Sequence, residues 1–420
     1  MRKFLILIAI GIIANLNNLY SQETITESER IKALEEKVEA LTKLIGTDAE
    51  DTLSHHPGIA RKTLTEKYEE KLESFKSKIP FEINGSVDVY VQTNFNGKQT
   101  NTVLNRAFYP KANSFELGMI NLIMKKKIKK AGFVADIGFG PRAEAANNTL
   151  YANTILAIKQ LYVTYAPADF VEFTLGNFST FFGYELIEPQ NNFNYSTSLA
   201  FQNGPFYHTG FKANFTVKKW NMLVGFFNDT DTKSDNDRNK YVGAQVGYTG
   251  DNGGVYLNFV GGNEPTTFTV DDTLVFSAYK NYKNSYDLTG SVKLGKEKKG
   301  KLGVNVAYHQ FRFKEYKNSK IVRNKYFTSY LYGQYDINNR ASLGARAGYF
   351  YNPDGAAVYV AGPSKHFVDF TLTAHIMIIG GFMLIPEYRM DFATQQVFLD
   401  RKGGNSKFQH VLGLSAVYAF

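Results

Sequence analysis

Catalysis needs a nucleophile, a base or a metal ligand set beside its partners, and this 420-residue chain offers few such groupings. It has no cysteine, which removes disulfides, thiolate metal sites and thiol nucleophiles together. His55 and His56 stand side by side in "SHHPG", but neighbours do not share a helix face and no third His or carboxylate cluster is near, so the pair reads as linker. His208, His309, His366, His375 and His410 are scattered, and none accompanies a Gly-x-Ser-x-Gly turn.

What does recur is charge at alternate positions of otherwise apolar stretches. Asp88, Asp136, Glu172, Lys212, Asp287, Lys293, Arg346, Glu387, Arg389 and Asp391 all fall on the polar side of such runs. The chemistry of such a set is electrostatic: it wets a surface and filters solutes by charge and size. Six of these ten are acidic and four basic, so the sign of any selectivity is not readable from them.

The elements that carry these residues are strands. "FEINGSVDVYVQTNF" sets Phe81, Ile83, Val87, Val89, Val91 and Phe95 against Glu82, Asn84, Ser86, Asp88, Gln92 and Asn94, a period of two. The pattern recurs in sixteen segments, starting near residues 81, 114, 131, 155, 170, 207, 220, 240, 254, 284, 301, 323, 340, 365, 381 and 408. Their connections alternate, long then short, eight long and seven short. A transmembrane antiparallel up-and-down β-barrel of about 16 strands predicts that rhythm, with short periplasmic turns and long outer loops. A sandwich or propeller does not require it. Sixteen strands enclose an aqueous interior, where eight would be filled by side chains.

The remaining sequence differs. Met1-Arg2-Lys3 and "FLILIAIGIIANL" have the form of a signal peptide over residues 1–21, with cleavage before Gln22. The formal charge of +9 falls to +7 when Arg2 and Lys3 leave, 46 basic against 39 acidic side chains. That mild balance does not suggest a nucleic-acid partner. Residues 22–79 are rich in Glu, Lys, Ala and Leu and predict a periplasmic helical segment, in which Ile31, Leu34, Val38, Leu41 and Ile45 repeat as a short coiled coil. The barrel then occupies 80–420, making the chain all-β apart from this segment. It ends on "VLGLSAVYAF", which places Tyr418 and Phe420 in an interfacial aromatic girdle.

From Gln160 to Gly210 the chain resembles the OmpL-like putative beta-barrel porin family of Gram-negative outer membranes. The resemblance rests on Gln160 and Tyr162, Gly176-Asn177-Phe178, Gly183-Tyr184-Glu185, Asn194-Tyr195-Ser196 and His208-Thr209-Gly210, in the family's order. Asn177 departs from the Lys typical of the family. The resemblance implies a porin in the cell outer membrane, passing small hydrophilic solutes or ions without chemistry or cofactor. It also implies that the connection between the fifth and sixth strands folds inward. Glu185, Glu188 and Tyr195 would then face the constriction, while Phe181, Phe182, Phe193, Phe201 and Phe206 pack on the wall or on neighbouring loops.

It further implies outer-membrane lipid and the barrel-assembly machinery as partners, with Phe420 and Tyr418 as the assembly signal, and trimers as the oligomer. The coiled-coil residues nominally favour a homodimer over a homotrimer. Two other classes stay open: a barrel-anchored tether or adhesin acting through residues 22–79, and an outer-membrane hydrolase.

Overall fold

The computed structural model describes residues 81–96, 102–147, 157–235, 238–263, 267–270, 273–276, 281–314, 321–357, 360 and 364–420. The leader and helical segment expected over 1–79 lie outside them.

Alternating side chains give each strand one apolar and one polar face, and sixteen such strands close on one another. In chain order they are β1 (Glu82–Asn94), β2 (Phe115–Ile128), β3 (Ala131–Phe139), β4 (Ile158–Ala168), β5 (Val171–Ser179), β6 (Tyr207–Val217), β7 (Trp220–Thr230), β8 (Tyr241–Gly250) and β9 (Gly253–Asn263). After a small hairpin of β10 (Thr267–Val270) and β11 (Thr273–Phe276) come β12 (Tyr282–Leu294), β13 (Gly300–Lys314), β14 (Ile321–Asn338), β15 (Ala341–Tyr351), β16 (His366–Ile379) and β17 (Phe382–Ala393). A second hairpin, β18 (Phe398–Leu399) with β19 (Asn405–Ser406), precedes β20 (Phe408–Ala419). All barrel pairs are antiparallel and join consecutive barrel strands except the closing pair of β1 with β20, and each expected start lies within three residues of the start of a barrel strand.

Closure is made by β1 against β20, in register from Ser86↔Ala419 to Asn94↔Val411. Phe420 completes it: its N–H and C=O exchange 3.0 Å bonds with Gly85. A Cβ on Gly85 would meet the Asn121 carbonyl at 2.4 Å and the Phe420 ring at 2.7 Å. The short connections are tight: Lys129 and Lys218 take φ of 52° and 55° in two-residue turns, a conformation Gly381 adopts at 77° without steric cost.

The two faces follow the sequence alternation. Val89, Leu412, Leu414, Tyr418 and Phe420 point outward and are exposed, whereas Asp88, Tyr90, Ser415 and Val417 are buried inside. Exposed aromatics cluster near the short turns (Tyr165, Phe170, Trp220, Tyr248, Tyr335) and near the long loops (Phe115, Phe139, Tyr286, Phe408), flanking an aliphatic band. That is the surface a bilayer selects. Among the described residues no helix is long and apolar enough to cross a membrane.

Leu331, 63% exposed in that band, provides a test. Leu331→Arg is expected to lower folding stability in lipid vesicles by about 2–4 kcal/mol, read from denaturant titrations of the refolded barrel.

Candidate functional site

A barrel this wide must leave its middle empty or fill it with chain. Here the loop between β5 and β6, residues 180–206, turns inward and carries its polar atoms to strands all around the wall. Gly183 N–H donates to Asp287 Oδ1 at 3.2 Å on β12, and Tyr184 stacks on Tyr332 of β14 at 4.6 Å. Asn194 Nδ2 donates to Thr373 Oγ1 at 2.7 Å on β16. Tyr195 Oη donates to Asp88 Oδ2 at 2.7 Å on β1. Ser196 N–H donates to both Glu387 carboxylate oxygens at 3.1 Å on β17, and Leu199 N–H to Tyr330 Oη at 3.1 Å on β14. A short helix, α2 (Leu199–Gln202), is capped by the Ser198 hydroxyl, which accepts from Phe201 N–H at 3.0 Å.

Two arginines anchor this loop. Arg346 Nη1 reaches Glu185 Oε1 at 2.8 Å and also the Ser196 carbonyl, while its Nε meets Asp369 Oδ1 at 3.2 Å. Arg389 Nη1 donates to the Thr197 carbonyl at 2.6 Å, and its Nε and Nη2 hold Asp391 Oδ1 at 3.0 and 2.9 Å. Asp391 in turn takes Arg106 Nη2 at 2.6 Å from the loop after β1. Arg346 and Arg389 are each 1% exposed. Charges buried so deeply persist only when paired and hydrogen-bonded, and planar guanidinium groups satisfy several acceptors at once.

Further segments complete the filling. The loop after β1 packs Tyr109 against Tyr90 and Tyr195, and sets Phe108 against Phe201 and Phe206. The helix α1 (Pro141–Asn147) inserts Arg142, which lies 3.5 Å from Asp88 and 4.6 Å from the Tyr195 ring. The cavity left among Tyr109, Tyr195, Glu387 and Arg389 is about 20 Å³, room for one water. At the short-turn end Lys125, Lys127, Lys212 and Glu172 line a wider recess of about 320 Å³.

The charged residues singled out by alternation thus have different surroundings. Asp136 is buried between Lys159 Nζ at 3.3 Å and Gln160 Nε2 at 3.0 Å. Glu172 pairs with Lys127 at 3.3 Å, and Lys212 lies over the Phe178 ring at 4.3 Å. Lys293 is exposed, opposite Lys301 in register. Glu185 and Glu188, expected to face the constriction, lie on the inward loop and pair there with Arg346 and Lys159. The physical reason is that a carboxylate carried into the packed centre by the loop is stable only against a cation. Phe181 packs on His208 and Phe227 of the wall, whereas Phe201 and Phe206 meet a neighbouring loop.

Alternation missed several anchors. Asp369 sits in "HFVDFTL" with the right parity and was available to the same reasoning. Lys159 was not, because the β3–β4 register shifts between Asp136↔Gln160 and Ile137↔Ile158 and turns Lys159 inward. Arg106 and Arg142 lie in long connections, where no period exists. In the loop after β7, burial pushes the Asp231 carboxyl up to about 6, with Lys283 opposing. It accepts Phe206 and Tyr207 N–H at 2.6 and 3.1 Å, fixing the exit of the inward loop.

Ser285 Oγ contacts His309 Nδ1 at 2.8 Å, but both are buried on the wall and no carboxylate bonds the imidazole among the described residues. A hydrolytic triad is not assembled there. No group of three or more potential metal ligands occurs among the described residues.

The fold is shared with known outer membrane proteins. The outer membrane channel DcaP of Acinetobacter baumannii is similar with TM-score 0.55 and 14% identity, over 81% of this chain and 97% of that one. A loop L8 deletion mutant of OmpT, an outer membrane protein of Vibrio cholerae, is similar with TM-score 0.51 and 12% identity, over 81% and 99%. The trimer form of in-vitro folded OmpT gives TM-score 0.51 and 11% identity, over the same shares. At such identities the likeness concerns the fold. Among curated proteins there is no match. The family model described as putative beta-barrel porin-2, OmpL-like, matches residues 80–420, so the chain belongs to that family.

Proposed function

We propose that the protein is an outer-membrane porin whose lumen is closed at mid-height by residues 180–206 and conducts small hydrophilic solutes or ions when that loop yields. The observation that carries this reading is the inward loop itself, held by polar contacts to the wall within a barrel of the porin family. Solute would be selected by size and by the charges exposed once the loop moves, Glu185, Glu188 and Tyr195 with Asp136, Glu172, Lys212, Arg346, Glu387, Arg389 and Asp391. No step of this function calls for a cofactor or covalent chemistry.

The leader at 1–21 would be removed on export, and residues 22–79 would remain in the periplasm. The trimer form recorded for OmpT supports a homotrimer, against which the Ile31 to Ile45 pattern favours a pair. A tether acting through residues 22–79 is the second reading. Truncating 22–79 separates the two: unchanged single-channel current with lost envelope attachment favours the tether.

The outward position of Tyr418 and Phe420, with Phe420 bonded to Gly85, supports a role in assembly as well as closure. Deleting Phe420 is expected to reduce the heat-modifiable folded fraction while leaving the conductance of the folded remainder unchanged.

The clamp is tested by Arg346→Ala, which strands Glu185 and Asp369 without their cation. Stability is expected to fall by about 3–5 kcal/mol, and planar-bilayer records should show larger or more frequent open currents than wild type. Folded protein that stays silent in both forms across a voltage series would sink the channel reading.

A further inference from the structure

Outside the lumen, the wall formed by β12, β13 and β14 changes character along its height. Its outward residues pair in register as successive rows across the three strands. One row is Tyr286, Tyr308 and Phe327, part of the aromatic girdle at the long-loop end, with the Tyr286 ring 5.3 Å from Phe259. The next is Asn284, Gln310 and Lys325, and above it stand Tyr282, Arg312 and Arg323. Their parity is that of exposed Leu288 and Leu331, opposite to buried Ser285, His309, Tyr326 and Thr328. These side chains therefore face the membrane and not the channel.

Arg312 and Arg323 are directly opposite one another, and both are exposed. Like charges in that position repel and weaken a sheet unless something negative lies between them. Among the described residues no carboxylate pairs with Arg312, Arg323 or Lys325. The nearby Asp354 instead accepts the backbone N–H of Lys325 at 3.1 Å. The Arg312 guanidinium carbon is 5.9 Å from the Tyr282 ring, a contact that orients the planar fork. Four residues separate the aromatic row from the arginine row, about 13 Å along each strand and about 10 Å along the membrane normal at the usual tilt. The aromatic row stands at the membrane–water interface, so the arginine row lies on its aqueous side, where the polar head of a glycolipid extends.

We propose that Arg312, Arg323 and Lys325, with the amides of Asn284 and Gln310, form a binding site for the phosphate groups of a phosphorylated glycolipid in the outer leaflet. Two arginines stand opposite one another on adjacent strands, and a planar guanidinium fork suits bidentate bonds to phosphate. The amides reach toward the sugar, and the aromatic row below receives the start of the acyl region. The site depends on outer-membrane placement but not on conduction.

The test uses full-length protein extracted from membranes in detergent. Wild type is expected to retain phosphorylated glycolipid through purification, and R312Q/R323Q to retain about tenfold less by phosphate analysis. In reconstituted bilayers, phosphorylated glycolipid should raise the thermal transition of wild type, and neither the dephosphorylated lipid nor inorganic phosphate should do so. R312K/R323K, which keeps the charge but loses the forks, should fall between wild type and R312Q/R323Q. Equal retention by wild type and R312Q/R323Q would overturn the proposal. So would equal stabilisation by the dephosphorylated lipid, and so would stabilisation by inorganic phosphate alone, which would mark a free-anion site. Each readout is taken on folded protein whether or not it conducts.

Discussion

A backbone in hydrocarbon has no water to bond, so each N–H and C=O must find a partner within the chain. Strands meet that demand only by closing, and the bonds between Gly85 and Phe420 are where this chain does so. The rest follows in order. Closure fixes which face meets lipid; the period of two sends polar side chains to the other face; and sixteen strands make the polar interior too wide for those side chains to fill.

The inward loop answers that last problem, and it shapes the charges around it. A segment led through a barrel brings its own N–H and C=O groups: here Asp287 accepts from Gly183 N–H, Glu387 accepts from Ser196 N–H, and Arg346 and Arg389 donate to the Ser196 and Thr197 carbonyls. Carboxylates accept from loop N–H groups and guanidinium groups donate to loop carbonyls. Arginine suits the second task better than lysine because one fork can hold a wall carboxylate and a loop carbonyl together. Asp369 and Asp391 thus act at one remove, orienting the arginines that touch the loop.

How much of this was legible depended on periodicity. Strand number, order and faces were readable because burial on one side imposes alternation that a short segment reveals, as in β1 and β20. The inward course of residues 180–206 came from a resemblance, since an irregular segment carries no period. The partners of Glu185 and Glu188 were not readable at all: Arg346 is 161 residues from Glu185, and no local rule connects them. Lys159 was hidden by a register shift, and Arg142 by its place in a seven-residue helix. What the sequence alone cannot supply is long-range pairing of charges, because such pairing depends on which loop enters the barrel and how far.

The loop is held unequally along its length, and this bears on how it could move. On the side of β15 and β17, Ser196 and Thr197 are gripped by two guanidinium groups and a carboxylate, each with further partners. On the side of β1, Tyr195 is held by one hydroxyl bond to Asp88 and by stacking of Arg142. The Arg142 nitrogens make an ion contact at 3.5 Å and ring contacts but no hydrogen bond among the described residues. A buried guanidinium held by ring and ion contacts regains more solvation on wetting than Arg346, whose nitrogens are hydrogen-bonded to Glu185, Asp369, Ser196 and Thr371. Displacement of the loop away from β1 would break the Tyr195–Asp88 bond and aromatic packing, whereas displacement away from β15 and β17 would break several charge-assisted bonds of Arg346, Arg389 and Glu387.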